Sequence, residues 1–208
     1  MKPISFHDNI ANQNSYLITY KNTALVIDPG FNGEAILKTL VEKQLKLEKV
    51  LITHGHYDHL RDVRLLATSQ DFILIIHEDD FLNLSDTSLN YAHNFNGSFQ
   101  IKQSLRVLQV SDNDEIAFGN GFISVIHTPG HTKGSVCYLW NGILFSGDTL
   151  FSGDAGRTDL AGGSAKMMKA SLIKIFTTLG NETIVYPGHE ELTSLGAERG
   201  HYLFLSKH

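Results

Sequence analysis

The sequence predicts an α/β fold, a four-layer αββα sandwich of two mixed β-sheets with outer helices. Short apolar runs of strand length recur along the chain, and both halves place several strands before a helix with one apolar face. Two similar halves of this kind pack as two sheets with helices outside. No linker or low-complexity run interrupts the 208 residues, so we predict a single domain over residues 1–208.

The first half contains predicted strands, two helices and one irregular segment. Apolar and alternating runs predict strands at 14–20, 23–30, 49–53 and 72–77. Apolar residues at helical spacing predict helices at about 33–46 and 62–69. The segment 79–104 begins with a helical stretch and then becomes polar and rich in Asn, which is typical of a lid, a binding loop or a disordered excursion.

The second half repeats this order of elements. Strands are predicted at 106–110, 114–118, 122–130, 134–140, 142–148 and 183–189, with Gly-containing hairpins at 119–121 and at Asn141-Gly142. A helix with one apolar face is predicted at about 164–179, and a final helical segment follows the last strand.

Composition narrows the class of protein. The formal net charge is −5 and no cluster of Lys and Arg stands out, so no nucleic-acid partner is predicted. The apolar runs are too short to span a membrane, and the first ten residues lack the apolar core of a signal peptide. The one cysteine, Cys137, excludes an internal disulfide and fits a reducing compartment. We therefore expect a cytoplasmic protein without a membrane partner. The oligomeric state is not indicated.

Seven His and Asp side chains follow short apolar strands at Gly or Pro turns, and loops of this kind gather at one edge of a layered β fold. They are His54, His56, Asp58, His59, His131, Asp148 and His189. Seven ligands are too many for one tetrahedral metal, which takes about four, but they suit two metals that share one carboxylate. Five imidazoles favour two divalent ions of zinc, with iron or manganese as alternatives, over calcium or magnesium. His77 and His127, at other strand ends, are expected to be structural.

The order of these motifs supports a resemblance to a known family. The stretches HGHYDH, TPGHTKGS, GDTLF, GRTDL and YPGHE resemble the ordered signatures of the metallo-β-lactamase superfamily, and most of all its glyoxalase II-like hydrolases. By position, the resemblance implies that His54, His56 and His131 hold a first metal. It implies that Asp58, His59 and His189 hold a second, and that Asp148 bridges the two.

The resemblance also implies a chemistry. In such hydrolases a hydroxide that bridges the metals attacks an acyl carbonyl, which predicts a small thioester or related acyl compound as substrate. Asp58 is the predicted catalytic residue, because it is placed to orient the hydroxide. Asp28 is expected to support a metal ligand from behind, although a turn-capping role is the alternative. Arg157 and Asp159 are expected to do the same as a buried ion pair.

Two departures from the family pattern leave the substrate open. Leu60-Arg61-Asp62 stands where relatives have a small Gly-containing turn. Glyoxalase II enzymes carry a further C-terminal helical domain that helps to bind glutathione, whereas about twenty residues follow His189 here. Glutathione specificity is therefore not implied. The alternatives are a persulfide-dioxygenase-like oxidoreductase with one iron, a lactonase, and a metal-bearing binding module. A β-lactamase is less expected, since no secretion signal is seen.

Overall fold

A computed structural model describes residues 2–101 and 104–202. The strands are β1 (Ile4–His7), β2 (Asn14–Tyr20), β3 (Thr23–Ile27), β4 (Lys46–Leu51), β5 (Ile73–His77), β6 (Arg106–Val110), β7 (Glu115–Phe118), β8 (Gly121–His127), β9 (Val136–Trp140), β10 (Ile143–Gly147), β11 (Ile184–Pro187) and β12 (Thr193–Ser194). The helices are α1 (Gly33–Glu42), α2 (Tyr57–Leu60), α3 (Val63–Ser69), α4 (Thr87–Asn90), α5 (Ala165–Thr178) and α6 (Leu195–Tyr202). Two 3₁₀ segments lie at Glu78–Leu84 and Ala92–Phe95.

The strands form two mixed six-stranded sheets. The first has the order β1-β2-β3-β4-β5-β6, in which the pairs from β3 to β6 are parallel. The second has the order β12-β11-β10-β9-β8-β7, in which only the β10–β11 pair is parallel. The carboxyl ends of β8, β10 and β11 therefore meet at one edge of the second sheet. The predicted αββα sandwich is confirmed.

The apolar side chains form three layers of core, because neighbours along a strand point to opposite faces of its sheet. In β2, Leu17 packs beneath α1 and α3, whereas Tyr16 and Ile18 lie between the sheets. In β9, Cys137 packs beneath α5, while Tyr138 lies between the sheets. Strands such as β2 and β9 are therefore buried on both faces.

Several element boundaries differ from the prediction. The strand predicted over 23–30 ends at Ile27, because Asp28 takes a left-handed conformation with φ of 48°. The helix predicted over 33–46 ends at Glu42, and Gln44 turns the chain with φ of 52°. The N-terminal strand β1 was not predicted. A bilayer-spanning helix is not found anywhere in the described ranges.

The described part of the segment 79–104 contains short helices and packs on the first sheet. Leu84, Ala92 and Phe99 are buried in the core beneath α1 and α3. Residues 102 and 103 lie outside the described ranges. The described part of this segment is therefore a packed loop, anchored by its own apolar residues.

Candidate metal centre

The seven predicted ligands lie together in the structure. His54 and His56 follow β4, while Asp58 and His59 lie in the short helix α2. The other three follow β8, β10 and β11, whose carboxyl ends share one edge of the second sheet. Four chain segments from both sheets thus converge on one point, as the sequence predicted.

Three histidines form the first group. One ligand atom from each of His54, His56 and His131 lies within 4.8 Å of the others. The His131 Nε2 atom is 2.8 Å from Nδ1 of His56, and the rings meet edge-on at angles of 83° to 88°, so that their in-plane lone pairs can converge. Burial lowers the pKa of His54 well below its usual range and that of His56 to about 3. Both rings are therefore neutral, as metal ligands must be.

Asp58, His59 and His189 form the second group, again with ligand atoms within 4.8 Å of one another. The Asp58 Oδ2 atom lies 3.5 Å from His189 Nε2 and 4.0 Å from His59 Nε2.

Asp148 lies between the two groups. Its Oδ2 atom is 3.4 Å from Nε2 of His131 in the first group, and its Oδ1 atom is 3.4 Å from Nε2 of His59 in the second. One carboxylate thus reaches both groups, which is the arrangement predicted for a bridging ligand.

Unpaired buried polar atoms show that these residues fit metal ions. The Nε2 atoms of His54 and His59 and the Oδ1 atom of Asp148, which lie toward the other ligand atoms of the cluster, are buried and have no hydrogen-bond partner. Nε2 of His56 is also buried and unpaired, but Nδ1 is the His56 nitrogen that lies against His131. Each unpaired buried group of this kind costs about 1–3 kcal/mol. Imidazole nitrogens with carboxylate oxygens form a donor set for zinc, iron or manganese, whose binding would remove this cost.

Asp28 supports the second group from behind. Its Oδ2 atom lies 2.9 Å from Nδ1 of His59 and accepts a hydrogen bond from the Thr53 hydroxyl, while Oδ1 accepts from the Thr53 N–H. The bond to Nδ1 leaves Nε2 of His59 free to face the cluster. Burial opposes a charge on His59, but the carboxylates of Asp28 and Asp148 outweigh it and raise its pKa. Asp28 is therefore more than a turn cap.

Arg157 and Asp159 form the predicted ion pair, but not where it was expected. Two hydrogen bonds of 2.7 Å join them and lower the pKa of Asp159 to about 2. The side chains are 63% and 67% exposed, so the prediction of a buried brace is wrong. Arg157 instead reaches the site through its backbone, since its carbonyl oxygen accepts from His131 Nδ1 at 2.8 Å. The carbonyl of Asn12 accepts from Nδ1 of His189 in the same way.

Asp80 is a buried carboxylate that the sequence reasoning missed. Its Oδ2 atom accepts from the Gly55 N–H and the Thr132 hydroxyl, and its Oδ1 atom accepts from the Gly134 N–H. Gly55 separates two predicted ligands, and Thr132 directly follows a third. Asp80 therefore ties two ligand loops to each other. The sequence carries no signal that singles it out within the run Glu78-Asp79-Asp80.

Steric limits explain the glycines that precede the ligands. A Cβ atom on Gly188 would lie 2.3 Å from Asp148 Oδ1, so only glycine lets the chain pass so close to the cluster. Gly130 has φ of 149°, and a Cβ atom there would lie 2.5 Å from the Met168 backbone in α5.

Leu60-Arg61-Asp62, which departs from the family pattern, packs against neighbouring residues and leaves the seven candidate ligands together. Leu60 is buried, and the Arg61 guanidinium lies 4.9 Å from the centre of the Phe31 ring. Asp62 Oδ2 accepts from the N–H of Gly33 at the start of α1, and the helix predicted over 62–69 begins at Val63.

An open cavity of about 430 Å³ leads to the cluster. Besides five of the seven residues, its wall includes Tyr91 and Phe95 from the segment 79–104, and Phe151 and Leu160 from the loop after β10. The segment 79–104 therefore forms part of the cavity wall.

A second group of ligand-type side chains, His77, Asp79 and His127, lacks the geometry of a shared metal site. The two rings stack with centroids 4.0 Å apart and planes 15° apart, so a single ion cannot lie in both ring planes. His127 Nε2 instead lies 2.8 Å from the Lys133 carbonyl. This agrees with a structural role for both histidines.

The family model of the metallo-beta-lactamase superfamily matches residues 9–189. The chain belongs to the metallo-beta-lactamase superfamily. The matched range contains all seven predicted ligands.

Two curated relatives of this chain are named as hydrolases. The probable metallo-hydrolase YqgX of Bacillus subtilis is 30% identical over 195 residues, covering 93% of this chain and 92% of that protein. A hydroxyacylglutathione hydrolase of Aeromonas hydrophila is 33% identical over 186 residues, covering 89% of this chain but 63% of that protein.

Several solved structures share the fold over almost the whole chain. The BLEG-1 B3 metallo-beta-lactamase is 32% identical with a TM-score of 0.88, covering 99% of this chain and 100% of that one. TTHA1623 in a di-iron-bound form is 30% identical with a TM-score of 0.82, covering 98% and 100%. ETHE1 from Myxococcus xanthus is 29% identical with a TM-score of 0.80, covering 97% and 83%.

Proposed function

We propose that this chain is a dinuclear metal-dependent hydrolase that cleaves a small thioester or a related acyl compound. The observation that carries the proposal is the position of Asp148, whose two oxygens lie 3.4 Å from ligand nitrogens of the two separate groups. A single metal would leave one of these groups, each with buried unpaired nitrogens, without a partner. Two ions satisfy both.

The proposed chemistry divides between the metals and the chain. When bound, two divalent ions supply a hydroxide at neutral pH and a Lewis acid for the acyl carbonyl. Asp58 lines the cavity and is the acidic member of the second group, so it is placed to orient the nucleophile. Its pKa is lowered, because the interactions with His189 and His59 outweigh burial, which acts in the opposite direction. Asp58 is therefore ionised at neutral pH and can accept a hydrogen bond.

The comparisons support the reaction class and the metal count. The relative named hydroxyacylglutathione hydrolase favours a thioester, while the di-iron form of TTHA1623 favours two metals in this fold. We propose zinc as the metal, with iron or manganese as alternatives. We further propose a small-molecule acyl substrate in the cytoplasm, without a nucleic-acid or membrane partner.

Metal analysis combined with a substrate panel tests the proposal. We expect two metal ions per chain and metal-dependent hydrolysis of thioesters of glutathione or of N-acetylcysteamine. Asp148→Asn should reduce both the metal content and the activity, whereas Asp159→Asn, which changes only the exposed ion pair, should leave the metal content at two. Fewer than two metals per chain, together with no thioester hydrolysis, would refute the proposal.

The same panel separates the alternatives. One iron per chain with oxygen consumption on glutathione persulfide would establish the persulfide-dioxygenase-like oxidoreductase. Faster turnover of a lactone than of any thioester would establish a lactonase. The likeness to BLEG-1 adds a β-lactam to the panel, and faster β-lactam hydrolysis would identify a β-lactamase.

A further inference from the structure

Tyr91 is held rigidly beside the metal centre. The side chain of Asn90 is fully buried, donates from Nδ2 to the Asn83 carbonyl and accepts from the Ala92 N–H. Ala92 is also fully buried. Tyr91, between these two anchored residues, has φ of 59°, a left-handed conformation that is uncommon for a tyrosine and clusters at functional sites.

The ring of Tyr91 runs along the cavity wall from the ligand cluster toward the opposite loop. Its centroid lies 5.3 Å from that of His56, edge-on at 79°. At its other end, the hydroxyl oxygen accepts a hydrogen bond of 2.7 Å from the Ala161 N–H. The side chain therefore spans the space between the first ligand group and the loop after β10.

The hydroxyl proton of Tyr91 remains available. A phenolic hydroxyl accepts with its oxygen and donates with its proton, and the bond from Ala161 uses only the oxygen. Within residues 2–101 and 104–202, no oxygen or nitrogen accepts this proton. The bond from Ala161 fixes the oxygen in place, so Tyr91 presents a positioned donor at the wall of the cavity.

On the basis of the proposed function, we infer that Tyr91 donates a hydrogen bond to an oxygen on the acyl part of the substrate, beside the scissile carbonyl. Phe95, Phe151 and Leu160 give the wall apolar surface, Asn94 and Asp154 are further polar side chains of the wall, and the Arg157 guanidinium is already paired with Asp159. A fixed neutral donor beside apolar side chains selects acyl groups that carry an acceptor oxygen over those that do not. Tyr91 is thus a specificity-determining residue.

The test compares two thioesters that differ by one oxygen. Wild type, Tyr91→Phe and the control Tyr20→Phe, which removes a hydroxyl far from the cavity, are assayed with the lactoyl and propionyl thioesters of N-acetylcysteamine. We expect Tyr91→Phe to lower the ratio of kcat/KM for lactoyl over propionyl by about three- to tenfold, the worth of one neutral hydrogen bond. Tyr20→Phe should keep the wild-type ratio.

The ratio separates recognition from structural damage. Loss of metal or of folding would reduce both activities together and leave the ratio unchanged, and an unchanged ratio overturns the inference. If the wild type hydrolyses neither thioester, the proposed function fails on its own. The donor is then tested by calorimetric binding of lactate and propionate to the metal-loaded protein, where an equal affinity ratio in wild type and Tyr91→Phe overturns the inference.

Discussion

Replacing Asp80 tests whether one buried carboxylate holds two ligand loops together. The side chain is 2% exposed and accepts three hydrogen bonds of 2.7 to 2.8 Å. Asp80→Asn can keep the two bonds at Oδ2 by placing its amide oxygen there, but its NH₂ group then faces the Gly134 N–H. Losing one hydrogen bond to a charged group costs about 1.5–3 kcal/mol.

Asp80→Ala removes all three acceptors. Three buried donors lose their partner at about 1–3 kcal/mol each, and water entering the space offsets part of the cost, so we expect a loss of about 3–6 kcal/mol. Domains of this kind unfold with about 5–15 kcal/mol in total, so Asp80→Ala brings the chain close to the limit of folding. Asp80→Asn is the more informative variant, because its smaller expected cost should leave the chain folded.

Urea unfolding and metal competition measure the two consequences. For Asp80→Asn we expect a free energy of unfolding about 1.5–3 kcal/mol lower, and metal affinity at least tenfold weaker, since Gly55 and Thr132 adjoin predicted ligands. Asp79→Asn is the matched control, because the neighbouring carboxylate is 53% exposed and should change neither quantity measurably. If Asp80→Asn behaves like Asp79→Asn in both assays, the reasoning is wrong.

Three further predictions follow from the same structure. Gly188→Ala should weaken metal binding and destabilise the fold by about 1–3 kcal/mol, because its Cβ atom would overlap the Asp148 carboxylate, whereas Gly121→Ala, where a Cβ atom meets nothing within 4 Å, should do neither. Asp28→Asn should weaken metal binding at the second group by about 10- to 100-fold in a chelator competition, because His59 loses its charged partner. Metal affinities equal to those of the wild type would contradict this prediction. Burial raises the pKa of the Cys137 thiol to about 11, so it stays protonated below that pH; iodoacetamide at pH 8 should label the unfolded chain but not the native one.

The cluster of the seven candidate ligands could be located from the sequence because its members have unusual spacing and unusual neighbours. Four of them crowd into one hexapeptide, which few structural needs explain. Gly130 and Gly188 precede two others, and the structure shows that each glycine is required by a close approach. The sandwich was predictable for a similar reason, because strands that are buried on both faces, such as β2 and β9, read as short, nearly continuous apolar runs.

The supporting contacts were not predictable because they join residues far apart in the chain. Asp80 bonds to partners 25, 52 and 54 positions away, and nothing in its neighbourhood separates it from Glu78 and Asp79. Arg157 supports His131 with its backbone carbonyl, not with its guanidinium. Because every residue has a backbone carbonyl, the residue type could not reveal this role. The sequence did not distinguish a packed loop from a disordered one over the segment 79–104. Its Asn-rich composition does not reveal that the Asn90 side chain bonds to backbone groups within the loop.

The seven candidate ligands are divided between the two halves of the chain, which has a consequence for the order of folding and metal binding. The first half supplies His54, His56, Asp58 and His59, but neither group is complete until the strands of the second sheet bring His131, Asp148 and His189 to the same edge. Metal that binds only the finished site adds its binding energy to the docking of the two sheets. Metal binding should therefore follow folding. Removal of the ions should weaken the packing between the two sheets before either sheet unfolds.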